Sequence, residues 1–310
     1  MKRIISIIIS VIILGVIYTK IPINQTISII IASQKRWLIL GFLLIIPVNL
    51  FIALRFRLLI PNRTNIRYLT CLRLVMIAQV LNLVLPAKMG DLTKAYILKK
   101  EQSFKGSLAL SVVFFEKIVD FISILFWAIT CSFFVYKKVG FIRLGTVVIT
   151  SAFIVLLLVI LVPAFSNIFF KGLRLLLPKN LKIKLDAFKV DWYEMQSYIR
   201  KNKLNTLKIA IVSILISFIF FFQGWIFILG LKAYLPFSYN LALMPYAVLA
   251  GLVPLTFAGI GSRDSAIILL YQSFIGAGPA AALGVLFATR FIFTAILGLP
   301  FLRSNKNKLW

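Results

Sequence analysis

Predominantly apolar runs of about 18 residues or more recur along the chain, enough for a helix to cross a hydrocarbon core. Trp37 to Leu54, Leu144 to Pro163 and Leu207 to Leu231 are the clearest, and short stretches dense in Lys and Arg lie between them. None alternates as a barrel strand does. The pattern predicts an all-α, polytopic integral membrane helical bundle.

Short loops rich in Lys and Arg stay on the cytoplasmic side. The densest is Lys171 to Lys208, followed by Arg55 to Arg67 and Lys88 to Lys105. If the last two are both cytoplasmic, Tyr68 to Pro86 cannot cross. Its Arg73, Gln79, Asn82 and closing Pro86 then predict a re-entrant or broken helix, which survives at membrane depth only when packed in protein or lining a wet cavity. Leu241 to Ile275, interrupted by Pro245, Pro254, Gly259 and Gly261, reads the same way.

Six spans are thus expected, near residues 4–19, 37–54, 106–135, 143–163, 206–231 and 279–300, with both termini cytoplasmic. Lys137, Lys138 and Arg143 then fall outside, against the usual bias. The start, Met1-Lys2-Arg3 followed by Ile4 to Val16, is built like a signal peptide, but Tyr18 to Asn24 offers no small-residue cleavage site, so a retained first helix is expected. Residues 37–135 and 206–300 each read as span, broken hairpin, span, in opposite orientations. They form a candidate inverted repeat within one domain, 1–310, joined through a basic cytoplasmic loop at 165–205. Discontinuous helices at matching places in such halves point to a transporter's binding site. Within the loop, Lys182 to Lys203 reads as an interfacial amphipathic helix or as a solvated loop.

Composition narrows the function. Hydrophobic residues make up 61% of the chain, beyond the roughly 45–50% of soluble domains. Lys and Arg number 35 against 8 acids, and this excess suits an anionic lipid surface. No soluble basic domain is visible to serve a nucleic acid. The absence of His removes Ser-His-Asp catalysis and the commonest metal ligand. Cys71 and Cys131 both sit in apolar surroundings, so neither a disulfide framework nor a metal site is expected. No cofactor is expected, and without a Walker motif ATP is not the expected drive.

The charged residues inside apolar segments carry the candidate chemistry, because an Asp at the centre of a spanning helix costs about 2.5–3.5 kcal/mol. If the third span begins near Gly106, Glu116 falls about 15 Å along it, at the midplane. Asp120 shares its face at i, i+4, and two like charges there need a cation or a shared proton between them. Arg73 and Lys88 are the candidate cations. Pro86 breaks a helix, Gly90 turns, and Lys88, Asp91 and Lys94 surround the start of the next, an arrangement suited to phosphate. Gly261-Ser262-Arg263-Asp264 opens another helix, where the plain alternative is a cap with Arg263 on the surface. Arg290 is a mid-span guanidinium that needs a partner, and Asp264 is the candidate.

These motifs together resemble the lysylphosphatidylglycerol synthase transmembrane, flippase-like family. Leu85 to Lys100 matches its Pro, small, basic, x, Gly, acidic, two residues, basic signature; Ser111 with Glu116-Lys117-Ile118-Val119-Asp120 matches its Ser followed by Glu-Arg-x-x-Asp; and Pro254 through Gly259-Ile260-Gly261-Ser262-Arg263-Asp264 matches its C-terminal motif. Departures are Ala87 for Gly, Lys88, Lys94 and Lys117 for Arg, and Asp91 and Asp264 for Glu. Lys does not replace Arg in bidentate phosphate binding, so headgroup recognition is expected to differ. The resemblance implies the module that moves a modified phospholipid between leaflets, without the soluble synthase domain of longer members.

The expected function is therefore a flippase-like lipid transporter of the cytoplasmic membrane, more a transporter than an enzyme, that recognises an anionic or phosphate-bearing headgroup in a polar cavity. Arg73, Lys88, Lys94, Arg263 and Arg290 would meet phosphate, while Asp91, Glu116, Asp120 and Asp264 orient those cations or relay protons. The alternatives are a membrane-embedded transferase acting on a lipid or polyprenyl phosphate, with Asp91 or Glu116 as base, and an accessory scaffold for an envelope enzyme. Oligomeric state is left open.

Overall fold

The computed structural model describes residues 23–61, 66–101, 104–132, 141–252 and 261–303. Among these residues the chain is a helical membrane bundle without strands. Its helices are α1 (Ile23–Ile31), α2 (Lys35–Leu59), α3 (Tyr68–Val84), α4 (Leu92–Glu101), α5 (Gly106–Ser132), α6 (Phe141–Leu161), α7 (Pro163–Leu176), α8 (Lys179–Lys201), α9 (Lys203–Gly230), α10 (Phe237–Leu252), α11 (Ser262–Ile275) and α12 (Ala277–Arg303).

α2, α9 and α12 are long and apolar enough to cross a membrane. At 27 residues α5 is also long enough, but it carries Glu116, Lys117 and Asp120 in its middle. The span expected near residues 4–19 lies outside the described residues, as do Pro254, Gly259, Lys137 and Lys138.

Three expectations need correction. Arg55 does not begin a loop, because α2 continues to Leu59 and buries it. The span at 143–163 does not end the apolar segment; at Val162 and Pro163 the chain turns by 102° into α7. The linker is not a solvated loop: it is helical through α7 and α8, as the amphipathic-helix reading has it, and its aromatic face packs on protein. Ser166 Oγ donates to the Val159 carbonyl at 2.6 Å. Trp192 Nε1 and Gln196 Nε2 donate to Ser166 Oγ at 3.2 and 3.0 Å, which pins the bend. Trp192 also packs on Phe115, ring centroids 4.3 Å apart, so the linker buttresses the helix that carries Glu116.

The broken helix between the first two basic stretches is present. α3 stops at Leu85, a short 3-10 turn runs over Pro86–Asp91, and α4 leaves from it. Pro86 cannot continue the ladder. Gly90 allows the turn to fold back, since a Cβ there would lie 2.4 Å from the Asn82 amide nitrogen and 2.7 Å from the Ala78 carbonyl. Of the second hairpin, α10 and α11 are described but residues 253–260 between them are not; Pro245 is buried inside α10 instead of interrupting it.

The halves exchange partners reciprocally. α3 of the first packs on α12 of the second, and α10 of the second packs on α5 of the first. Within each half the described helices run long, short, short, long: α2 to α5, then α9 to α12. The α3–α12 contact closes on Gly298, where a Cβ would meet Val80 Cγ2 at 2.6 Å and the Met76 carbonyl oxygen at 2.7 Å.

Backbone cannot yield there, so Gly298→Val is expected to destabilise the protein by about 1–3 kcal/mol. Gly172, with nothing within 4 Å of its Cβ position, is the control: Gly172→Ala is expected to be neutral or to stabilise by about 0.5–1 kcal/mol. Thermal unfolding in detergent measures both; an unchanged Gly298→Val would contradict the packing.

Candidate functional site

In α5, Glu116 lies ten residues after Gly106 and is almost inaccessible, with Asp120 one turn further on the same face. Arg55 of α2 reaches across between them, its Nη2 3.6 Å from Glu116 Oε1 and its Nη1 2.5 Å from Asp120 Oδ1. Lys94, near the start of α4, places Nζ 2.6 Å from Glu116 Oε2 and 2.9 Å from Asp91 Oδ1. Lys117 then joins Asp91 Oδ2 at 2.6 Å to Asp120 Oδ2 at 3.7 Å.

The six side chains form a closed ring of alternating sign: Arg55, Glu116, Lys94, Asp91, Lys117, Asp120 and back to Arg55. Three cations balance three carboxylates. The ring ties α2, the 3-10 turn, α4 and α5 into one unit, and Lys94 also lies over the Phe56 ring at 5.1 Å. Arg55, Lys94 and Glu116 each expose 2% or less of the side chain. Lys117 and Asp120 expose 38% and 32%, toward a cavity inside the bundle.

That cavity has a volume of about 220 Å³ and lies between the two halves. The charge ring lines one side. Arg263 and Arg290 line the other, with Phe220 and Phe291, and Gln79 and Asn82 of α3 complete the polar wall. Arg263 is buried, not at the surface: its Nε and Nη2 donate to Asp264 Oδ1 at 3.1 and 2.8 Å, and its guanidinium lies 4.9 Å from the Phe291 ring centroid. Asp264 also accepts the Gly261 amide at 3.1 Å, capping α11. The cap and the buried cation therefore coexist.

Arg290 departs from expectation. Asp264 is not its partner, because that carboxylate serves Arg263 and Gly261 while its Cβ and Cα pack near Gly284, about 9 Å along α12 from Arg290 at helical rise. Arg290 Nε instead donates to Gln223 Oε1 at 2.6 Å, with the guanidinium over Phe220 at 4.5 Å.

Of the residues singled out from sequence, Asp91, Lys94, Glu116, Asp120, Arg263 and Arg290 line the cavity, and Asp264 supports it. Arg73 does not. Val75, Gln79 and Asn82 share the cavity face of α3 by helical spacing, while Arg73 points elsewhere and pairs with Glu101. The side chain of Lys88 lies outside the described residues. The cations that separate Glu116 and Asp120 are thus Arg55, Lys94 and Lys117, and not Arg73. Arg55 was hidden because the apolar run ends at Leu54, and only the continuation of the helix to Leu59 would have brought it inside. Gln223, in an otherwise apolar run, gave no charge signal.

Breaking one link separates ring from surface. Lys94→Met leaves Glu116 without its closest cation and is expected to cost about 3–5 kcal/mol, as for a broken buried pair. Lys117→Met, a third exposed, is expected to cost about 1 kcal/mol or less. Equal losses in thermal unfolding would contradict the burial order of the ring.

Residues 3–299 match the family described as the lysylphosphatidylglycerol synthase TM region. The chain is 24% identical to the UPF0104 membrane protein MJ1595 of Methanocaldococcus jannaschii, over 96% of this chain and 93% of that one. It is 31% identical to the UPF0104 membrane protein MJ1078 of the same organism, over 62% of this chain and 79% of that one. A match that runs through both broken hairpins and nearly the whole length makes this chain, a multi-pass integral membrane protein, a member of the lysylphosphatidylglycerol synthase TM region family.

Proposed function

We propose that the protein is a flippase-like lipid transporter of the cytoplasmic membrane, with both termini cytoplasmic, that takes a phosphate-bearing lipid headgroup into the cavity between its halves. The observation that carries this reading is the charge at the cavity: Arg55, Lys94, Lys117, Arg263 and Arg290 on its wall against Asp91, Glu116 and Asp120 there and Asp264 behind Arg263, five cations against four carboxylates. Buried charge in a membrane protein is expensive and belongs to binding or transport paths. An excess of cations at that depth selects an anion.

Size supports a headgroup over a whole lipid. About 220 Å³ is less than the roughly 300–1,000 Å³ of drug-sized pockets, so acyl chains would stay among the helices while the phosphate enters. Phe121, Ile124, Val248 and Leu252 give the cavity an apolar margin on which a glycerol backbone could rest. Against the transferase alternative stand the engaged carboxylates. Asp91, Glu116 and Asp120 are each engaged by two cations, whereas a general base needs an oxygen free to reach the proton it takes.

The test is translocation of fluorescent phospholipid in proteoliposomes, with the lipid recovered and analysed afterwards. The intact protein is expected to move lipid unaltered, and Arg290→Gln to slow it by about tenfold or more, the worth of one charge-assisted hydrogen bond. Chemical conversion of the lipid would favour the transferase, and no movement with any anionic lipid would sink the transport reading.

A further inference from the structure

The two sides of the cavity are built at equivalent places but carry different charge. Arg55 and Gln223 occupy the same position counted from the first residues of Lys35–Leu59 and Lys203–Gly230. Glu116 and Arg290 stand within one helical turn of the same position in the closing helices, Gly106–Ser132 and Ala277–Arg303. Each half thereby joins its first long helix to its last through the side chain at this position: Arg55 with Glu116 at 3.6 Å and Asp120 at 2.5 Å, and Gln223 with Arg290 at 2.6 Å. In the first half the link is cation with carboxylate. In the second a neutral amide replaces the charged partner.

The consequence is an uncompensated guanidinium. Among the described residues no carboxylate lies within ion-pairing distance of Arg290, which is 7% exposed and lines the cavity. The amide of Gln223 can sit only one way. Its nitrogen donates to the Gly41 carbonyl at 2.6 Å, so its oxygen must face the donor-only Nε of Arg290. The guanidinium is thus fixed through Nε and against Phe220, without losing its charge. Its fork of Nη donors is left for a ligand, in the geometry that matches two oxygens of a phosphate.

Resting on the proposed reading of the cavity as a headgroup site, we infer that the anion is held at the second-half end, by Arg290 positioned by Gln223, and not by the charge ring of the first half. The ring is electrically balanced and holds helices together. Gln223 is a positioning residue whose neutrality is its function: a carboxylate there would satisfy Arg290 internally and expel the ligand. The ligand class is a phosphate ester or free phosphate.

The experiment is thermal unfolding of the full chain in uncharged detergent, titrated with inorganic phosphate and, separately, with short-chain phosphatidic acid. The wild type is expected to be stabilised saturably. A response to phosphatidic acid alone assigns the site to lipid phosphate, and a response to both assigns it to the phosphate group itself; either supports the inference. Arg290→Gln and Gln223→Glu are expected to need at least about tenfold more ligand for the same shift, whereas Gln223→Met, which frees the guanidinium without neutralising it, is expected to bind more weakly than wild type but better than Gln223→Glu. One oxygen of Gln223→Glu would face the Gly41 carbonyl, so each variant's ligand-free melting temperature is the folding control, and Arg290→Gln decides the matter if Gln223→Glu fails to fold. A wild-type response in folded Arg290→Gln, equal responses of Gln223→Glu and Gln223→Met, or no response of the wild type to either phosphate would overturn the inference. Phosphate binding without lipid translocation would leave this site standing and sink only the transport reading.

Discussion

A charge held in an apolar bundle must find its opposite, and here that requirement is met by a closed ring. Arg55, Glu116, Lys94, Asp91, Lys117 and Asp120 alternate in sign around a circuit with no excess charge. Removing any inner member would strand a neighbour at a cost far larger than the pair's net worth, because the desolvation has already occurred. The ring also fixes geometry. It is made by residues from α2, the 3-10 turn, α4 and α5, so the broken hairpin cannot drift from the long helix beside it. The Trp192–Phe115 contact braces the same helix from the linker side.

The second half solves the same problem differently. Arg263 takes Asp264, its neighbour in sequence, and Arg290 takes an amide and an aromatic face. Cation and ring quadrupole attract by about 0.5–2 kcal/mol, which offsets part of the burial cost without neutralising the charge. A cavity walled on one side by a balanced ring and on the other by an unbalanced cation has a direction. On the proposed reading an anionic group would be drawn toward α12, opposite the ring.

Much of this was legible in the sequence, for identifiable reasons. Long apolar runs can be only one kind of structure in a bilayer, so α2, α9 and α12 were predictable, and Pro86 with Gly90 marked the break because neither permits a plain helix there. Glu116 and Asp120 announced themselves as acids where acids are costly. What the sequence withheld was pairing across distance. Read locally, Arg55 belongs to a loop, since nothing nearby shows that α2 continues. Read locally, Arg73 belongs to the site, and only the orientation of α3 turns it toward Glu101. Arg290 seemed to want Asp264, and only the capping of α11 and the close packing at Gly284 show that this carboxylate is already committed. The turn at Val162 into α7 depends on a knot between Ser166 and two residues of α8, a contact no local pattern encodes.

The central claim is that a lipid headgroup occupies the cavity between the halves. Photo-crosslinking tests it most directly: the protein is reconstituted with a phospholipid carrying a photoreactive group on its headgroup, irradiated, and the adducts are mapped by mass spectrometry. The account predicts adducts on cavity residues such as Asn82, Phe220 and Phe291. Adducts confined to the outer surface, for example Val147, Ile154 and Ile292, with the cavity residues unlabelled, would contradict it.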